Sequence, residues 1–178
     1  MVFAESWGQS VTALPQTITQ NFDNYRGSSV TLPSGWSMSG GSYKGIATAT
    51  TNSIGYYAFA SGADHNLASI RSGSGGNVSS TVTFTNNSGV TITELTFSWN
   101  YEQWKFQNAT GYSIAGTDAL AGNATISTKS FVGTSSGSGL AQTAVPTFTL
   151  SGLNITNGAS YGITWTTTDA TGADNGIA

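Results

Sequence analysis

At 178 residues the chain is long enough to bury a core and suits one domain rather than two. Charged side chains make up 7% of it, its net charge is −3, and its five basic residues are scattered, which leaves no electrostatic footprint for nucleic acid or an anionic membrane. Cysteine is absent, which excludes disulfides, thiolate metal sites and cysteine nucleophiles.

Solubility rests on the hydroxyls and amides of abundant Ser, Thr and Asn, while 11% aromatic residues supply enough apolar surface to offset the entropy of ordering. No apolar run approaches the roughly 20 residues of a membrane span. The segment Val2-Phe3-Ala4 fits the tail of a cleaved secretion signal, a pattern of low specificity. A secreted or cell-surface location is expected.

In chain order, strands are expected at Ile18–Phe22, Ile46–Thr51, Tyr56–Ala60 and Leu67–Arg71, each bounded by Gly, Asn or Ser clusters. Ser80–Thr85 alternates polar and apolar, Asn86-Asn87-Ser88-Gly89 supplies turn residues, and alternation resumes at Val90, which reads as a hairpin. Leu95, Phe97, Trp99 and Tyr101 follow at period two, with Ile92 in the opposite phase, so a bulge is expected near Thr93 or Glu94. Further strands are read at Tyr112–Ala115, Ile126–Phe131, Thr147–Leu150 and Tyr161–Thr168, with Ser72–Ser79 and Gly133–Gly139 as Gly/Ser-rich loops. Many short strands without a competing helical period predict an all-β fold, a two-sheet antiparallel sandwich of jelly-roll type, with an immunoglobulin-like order as the alternative.

Catalytic signals are sparse. Glycoside hydrolysis needs two carboxylates about 5–9 Å apart, and Glu94 and Glu102, eight residues apart, are the nearest approach to such a pair. His65 is the only histidine and has no G-x-S-x-G elbow beside it. The reading is therefore a protein that is not an enzyme.

Binding signals are of two kinds. Asp169, Asp174 and Asn175 sit on a Gly-containing loop, with Asp23 as a further ligand, a set of oxygen donors that suits calcium; Asx turns use the same residues, so the spacing leaves both open. Trp7, Trp36 and Trp104 lie outside the clearest core alternation and are candidate stacking platforms for a polysaccharide, whereas Trp99 and Trp165 read as core. Asn77, Asn86, Asn108, Asn123 and Asn154 each begin an N-x-[ST] triplet, a chance pattern in this composition.

Asn21-Phe-Asp, Leu32-Pro-Ser-Gly-Trp36, Tyr57-Ala-Phe-Ala-Ser-Gly, Asp64-His-Asn-Leu-Ala-Ser, Tyr101-Glu-Gln-Trp104, Ala121-Gly-Asn123 and Gly172-Ala-Asp-Asn-Gly-Ile-Ala178 together resemble a jelly-roll accessory domain of secreted bacterial surface proteins and extracellular nucleases, over residues 18–178. The resemblance implies a non-catalytic extracellular module with adhesive, glycan-binding or structural roles. It departs at His65, where a basic residue is usual, and in lacking the acidic closing strand that usually follows Gly-Ile-Ala.

Residues 1–17 precede that region as an N-terminal arm carrying apolar Val2, Phe3, Trp7, Val11 and Leu14. The arm is expected to add as a strand to the open edge of a neighbouring copy, giving self-association into a filament. The leading expectation is thus a structural or adhesive domain of the cell surface, and the alternative is a carbohydrate-binding module of a secreted enzyme.

Overall fold

A computed structural model describes residues 9–23, 25, 31–47, 53, 55–61, 64–70, 76–106, 112–118, 124–131, 137–168 and 176–177. Twelve strands run through them: β1 (Gln9–Val11), β2 (Trp36–Ser39), β3 (Tyr43–Ile46), β4 (Gly55–Ser61), β5 (Asp64–Ile70), β6 (Val78–Asn86), β7 (Ile92–Phe106), β8 (Tyr112–Asp118), β9 (Ala124–Phe131), β10 (Gly137–Ile155), β11 (Ser160–Thr168) and β12 (Gly176–Ile177). They make two six-stranded sheets and no helix among the described residues. Sheet A has the order β1-β6-β11-β8-β9, with β2 also on β6; sheet B has the order β10-β7-β12-β5-β4-β3.

The sheets face each other across a shared apolar layer, a sandwich-like arrangement. Val82 of β6 and Ile163 of β11 are buried with Ile92 and Ile155 from the other sheet, and Leu95, Phe97, Leu150 and Trp165 pack against them. Period-two alternation places these side chains inward. Trp165 meets Trp99 of β7 edge to face at 5.5 Å, and the hydroxyl of Ser69 on β5 donates to that of Thr167 on β11 at 3.0 Å. A second buried group, Tyr57, Phe59, Ala68, Ile70 and Trp104, lies on the opposite face of sheet B, because Ala58 and Leu67 alternate with these residues and pack with Tyr25 elsewhere. Sheet B is thus buried on both faces around β4, β5 and the end of β7, which explains the unbroken apolar run Tyr56–Ala60.

Several expectations are corrected. The predicted hairpin around Asn86–Gly89 is a crossover: β6 pairs in sheet A with β1, β2 and β11, and β7 pairs in sheet B with β10 and β12. The buried Asn86 makes the corner, its Nδ2 donating to the carbonyls of Val90 and Ile155, both at 2.7 Å, and its Oδ1 accepting from Ser88 N and Oγ. Ile18–Phe22 is not a strand, and Phe22 has φ 60°, which breaks any extended run there. The expected bulge falls on the partner strand: β7 runs from Ile92 to Glu94 where β10 spends Ser151 to Ile155, with Gly152 at φ 73° in the extra stretch.

Gln9–Val11 is a parallel edge strand on β6 of its own domain, and Ile18 packs on the same core. Among the described residues no helix is long and apolar enough to cross a membrane.

Candidate functional site

The feature of sheet B that stands out is its interruption. β12 lies between β5 and β7, antiparallel to both, and contributes only two residues: Gly176 opposite Ile70 and Lys105, and Ile177 opposite Ser69 and Gln103. β5 continues for another five residues from Ala68 back to Asp64, and β7 continues back to Ile92, yet beyond Ile177 no strand stands between them among the described residues. Among the described residues β12 occupies the space between β5 and β7 at Gly176 and Ile177.

Gly176 is required where β12 enters this space. A Cβ there would lie 2.7 Å from Cζ of Phe59 and 3.1 Å from Cβ of Lys105, so the strand threads between these side chains only because residue 176 has none. Lys105, Gln103 and Glu102 are all buried in this part of β7.

On one face of sheet B, β5 and β7 are joined by polar side chains. Glu102 accepts from Asn66 Nδ2 of β5 at 2.6 Å and from the indole N–H of Trp104 at 2.9 Å. These bonds to the carboxyl group tie β5 to β7 by side chains beyond the described residues of β12. The Oδ1 of Asn66 in turn accepts from the backbone N–H of Leu67 at 2.7 Å. A side chain thereby satisfies a donor in the stretch of β5 beyond β12.

The sequence-predicted residues distribute as follows. Trp104 is 3% exposed and belongs to the buried Tyr57–Phe59 cluster, with Phe59 6.2 Å away. It lies in the core rather than outside it, because both faces of sheet B are covered here, and it presents no open ring to a sugar. Trp36 is half-buried, stacked on Trp165 at 5.5 Å with 13° between the rings and edged by Phe22 at 4.8 Å, so it too is packed against the core. Trp7 lies outside the described residues, as do Val2, Phe3, Asp169, Asp174 and Asn175.

Asp23 sits in a tight turn with Asn21, whose Nδ2 donates to its Oδ2, and its Oδ1 accepts from His65 N at a long 3.5 Å. Asp23 therefore docks the turn onto β5. Among the described residues no three acidic or histidine side chains gather as a metal site. Of the assembly residues, Val11 is 8% exposed inside its own core, and Leu14 is 47% exposed beyond β1.

Glu94 and Glu102 do not form a pair. They lie on one strand eight residues apart, about 27 Å at the rise of a β-strand. Glu94 is exposed and accepts from Ser151 Oγ at 3.3 Å, while Glu102 is the buried centre of the Asn66–Trp104 bonds. What the arrangement offers is a backbone template with a polar clamp. The resemblance led to the expectation of an open edge after Gly-Ile-Ala, and the sequence did not place that segment between β5 and β7, where Gly176–Ile177 lies. The chain matches no family model and no curated protein.

Proposed function

We propose that the chain is a non-catalytic structural or adhesive domain of the cell surface or extracellular space, a jelly-roll-type sandwich that joins copies by strand addition. The stretches of β5 and β7 on either side of β12 support this reading, because the backbone of two long strands joined by a two-residue described strand is a template for strand pairing. Support for the jelly-roll order is the repeated passage between sheets, at β2–β3, β5–β6, β6–β7, β7–β8, β9–β10, β10–β11 and β11–β12.

The donor is the segment that precedes Gln9, with Val2, Phe3 and Trp7 as its apolar side chains. Val11 leaves the donor set because its own core holds it. β1 has no room to lengthen along β6, since β2 takes that edge from Val82 to Ser79 and a Cβ on Gly35 would lie 2.7 Å from Gln9 N. A low-charge, hydroxyl-rich surface supports the extracellular setting.

Light scattering after size exclusion, on the full chain and on a chain lacking residues 1–8, tests the reading. The full chain is expected to form concentration-dependent oligomers, the shortened chain to run as a monomer, and a peptide of residues 1–8 to cap the full chain's assembly. A full chain that stays monomeric, or a shortened chain that assembles equally, overturns it.

A further inference from the structure

The corner that carries the chain from β6 to β7 meets the turn between β10 and β11, and a reactive dipeptide lies where they meet. Thr156, Asn157, Gly158 and Ala159 form that turn: the carbonyl of Thr156 accepts from Ala159 N at 3.0 Å, and Gly158 has φ 85°, the conformation a type II turn requires of its third residue. Asn157 and Gly158 are exposed, whereas Asn86 beside them is buried. The backbone of Asn86 bonds to the turn twice, its N–H donating to Ala159 O at 2.9 Å and its carbonyl accepting from Gly158 N. From the same corner, Gly89 N donates to Oδ1 of Asn157 at 2.8 Å.

Asparagine followed by glycine can close on itself. The backbone nitrogen of residue 158 attacks the side-chain carbonyl carbon of residue 157, the C–N bond of the side-chain amide breaks, and ammonia leaves with the proton that the attacking nitrogen gives up. Water then opens the resulting cyclic imide at either carbonyl, leaving aspartate or an isoaspartyl link whose main chain is longer by one methylene. Glycine permits the attack because no side chain shields its nitrogen. Here the two halves of the reaction are prepared unequally. The Gly89 N–H points at the oxygen on which negative charge develops during the attack, which favours it. The nucleophile is withheld, because the Gly158 N–H that must lose its proton is bonded to the carbonyl of buried Asn86.

We propose that Asn157 is a site of spontaneous covalent modification, by deamidation, gated by the corner at Asn86. While the corner is closed the amide persists, and each opening that parts Gly158 from Asn86 frees the nucleophile beside an already polarised carbonyl. Exposure of Asn157 supplies the water that hydrolyses the imide. The product does not revert to the original corner. An isoaspartyl link at 157 shifts Gly158 and Ala159 relative to Asn86, and Ser160, which stands opposite Thr85 at the start of β11, follows them. The modified corner therefore loses its backbone bonds to Asn86 and holds β6, β10 and β11 less tightly. None of the residues involved belongs to β5, β7 or β12, so the inference is independent of strand addition.

Peptide mapping by mass spectrometry, on the full chain held at mildly alkaline pH, tests this. Asn157 is expected to keep its amide in the folded chain over a period in which the chain unfolded in guanidinium chloride converts to aspartate and isoaspartate. Asn86→Ala removes the side-chain bonds to Val90 and Ile155 that close the corner, so its folded form, verified by circular dichroism, should convert roughly tenfold faster than the unaltered folded chain. Where Asn86→Ala fails to fold, the unaltered chain in a series of sub-denaturing guanidinium concentrations decides: conversion should rise in proportion to hydrogen exchange at the Gly158 amide, because both follow the same opening. Conversion in the folded chain as fast as in the unfolded one, an unchanged rate in folded Asn86→Ala, or conversion that does not follow exchange at Gly158 overturns the proposal.

Discussion

Burial of tyrosine gives the molecule a titration signature. Tyr25, Tyr43 and Tyr57 are all pushed above the ordinary phenol value of 10.0 by burial; Tyr25 is raised furthest, with Tyr43 and Tyr56 adding to it, and for Tyr57 the bond to the carbonyl of Ser53 opposes the rise. A phenol whose folded value lies above its unfolded one stabilises the fold fully below the unfolded value, and that contribution is lost as pH rises through the folded value. Stability should therefore hold up to about pH 10 and decline above it. Absorbance should show these phenols still protonated while the fold persists and ionising together as circular dichroism is lost. Titration of all seven tyrosines near pH 10 with the fold intact would refute the packing of Tyr25. The same scale shows why aromatic residues misled the reading of function: Trp104 and Trp36 carry no sequence mark of burial, since their ring partners Phe59 and Trp165 are distant in the chain.

At the scale of strands, the turn signal Asn86-Asn87-Ser88-Gly89 was legible but its topology was not. A turn of this composition closes a hairpin when the flanking strands share a sheet, and here buried Asn86 bonds forward to Val90 and across to Ile155 of β10, so the chain passes between sheets instead. Only long-range packing separates the two outcomes. Asn86→Ala removes the donors to the carbonyls of exposed Val90 and buried Ile155 and should cost roughly 2 kcal/mol, read from the urea midpoint. A change within about 0.5 kcal/mol, the size of an ordinary surface substitution, would mean that the corner is held by other contacts. Strands with strict alternation, β6 and β11 above all, were read from sequence because one face meets the core and the other meets water. β12 was missed because two residues carry no period, and the N-terminal half of β10 because its Gly and Ser read as a loop.

The whole molecule inherits an asymmetry from these elements. β6, β11 and β8 of sheet A pair continuously over six to eight residues, and β7 with β10 over most of the length of β7, but among the described residues β3, β4 and β5 join the remainder of sheet B through the four backbone pairings of β12 and the Asn66–Glu102 clamp. A unit attached so narrowly opens more readily than one held along full strands. Native-state hydrogen exchange should find the amides of β4 and β5 less protected than those of β6, β7 and β11, and the gap should widen in Gly176→Val, whose side chain collides with Phe59 and displaces β12. Protection in β5 equal to that in β6, unchanged by the valine, would show that β12 is not the hinge. The same measurement reaches the assembly: a strand added between β5 and β7 bonds to both, so association should raise the protection of Asp64–Ala68 selectively and close the difference between the two parts of the sheet.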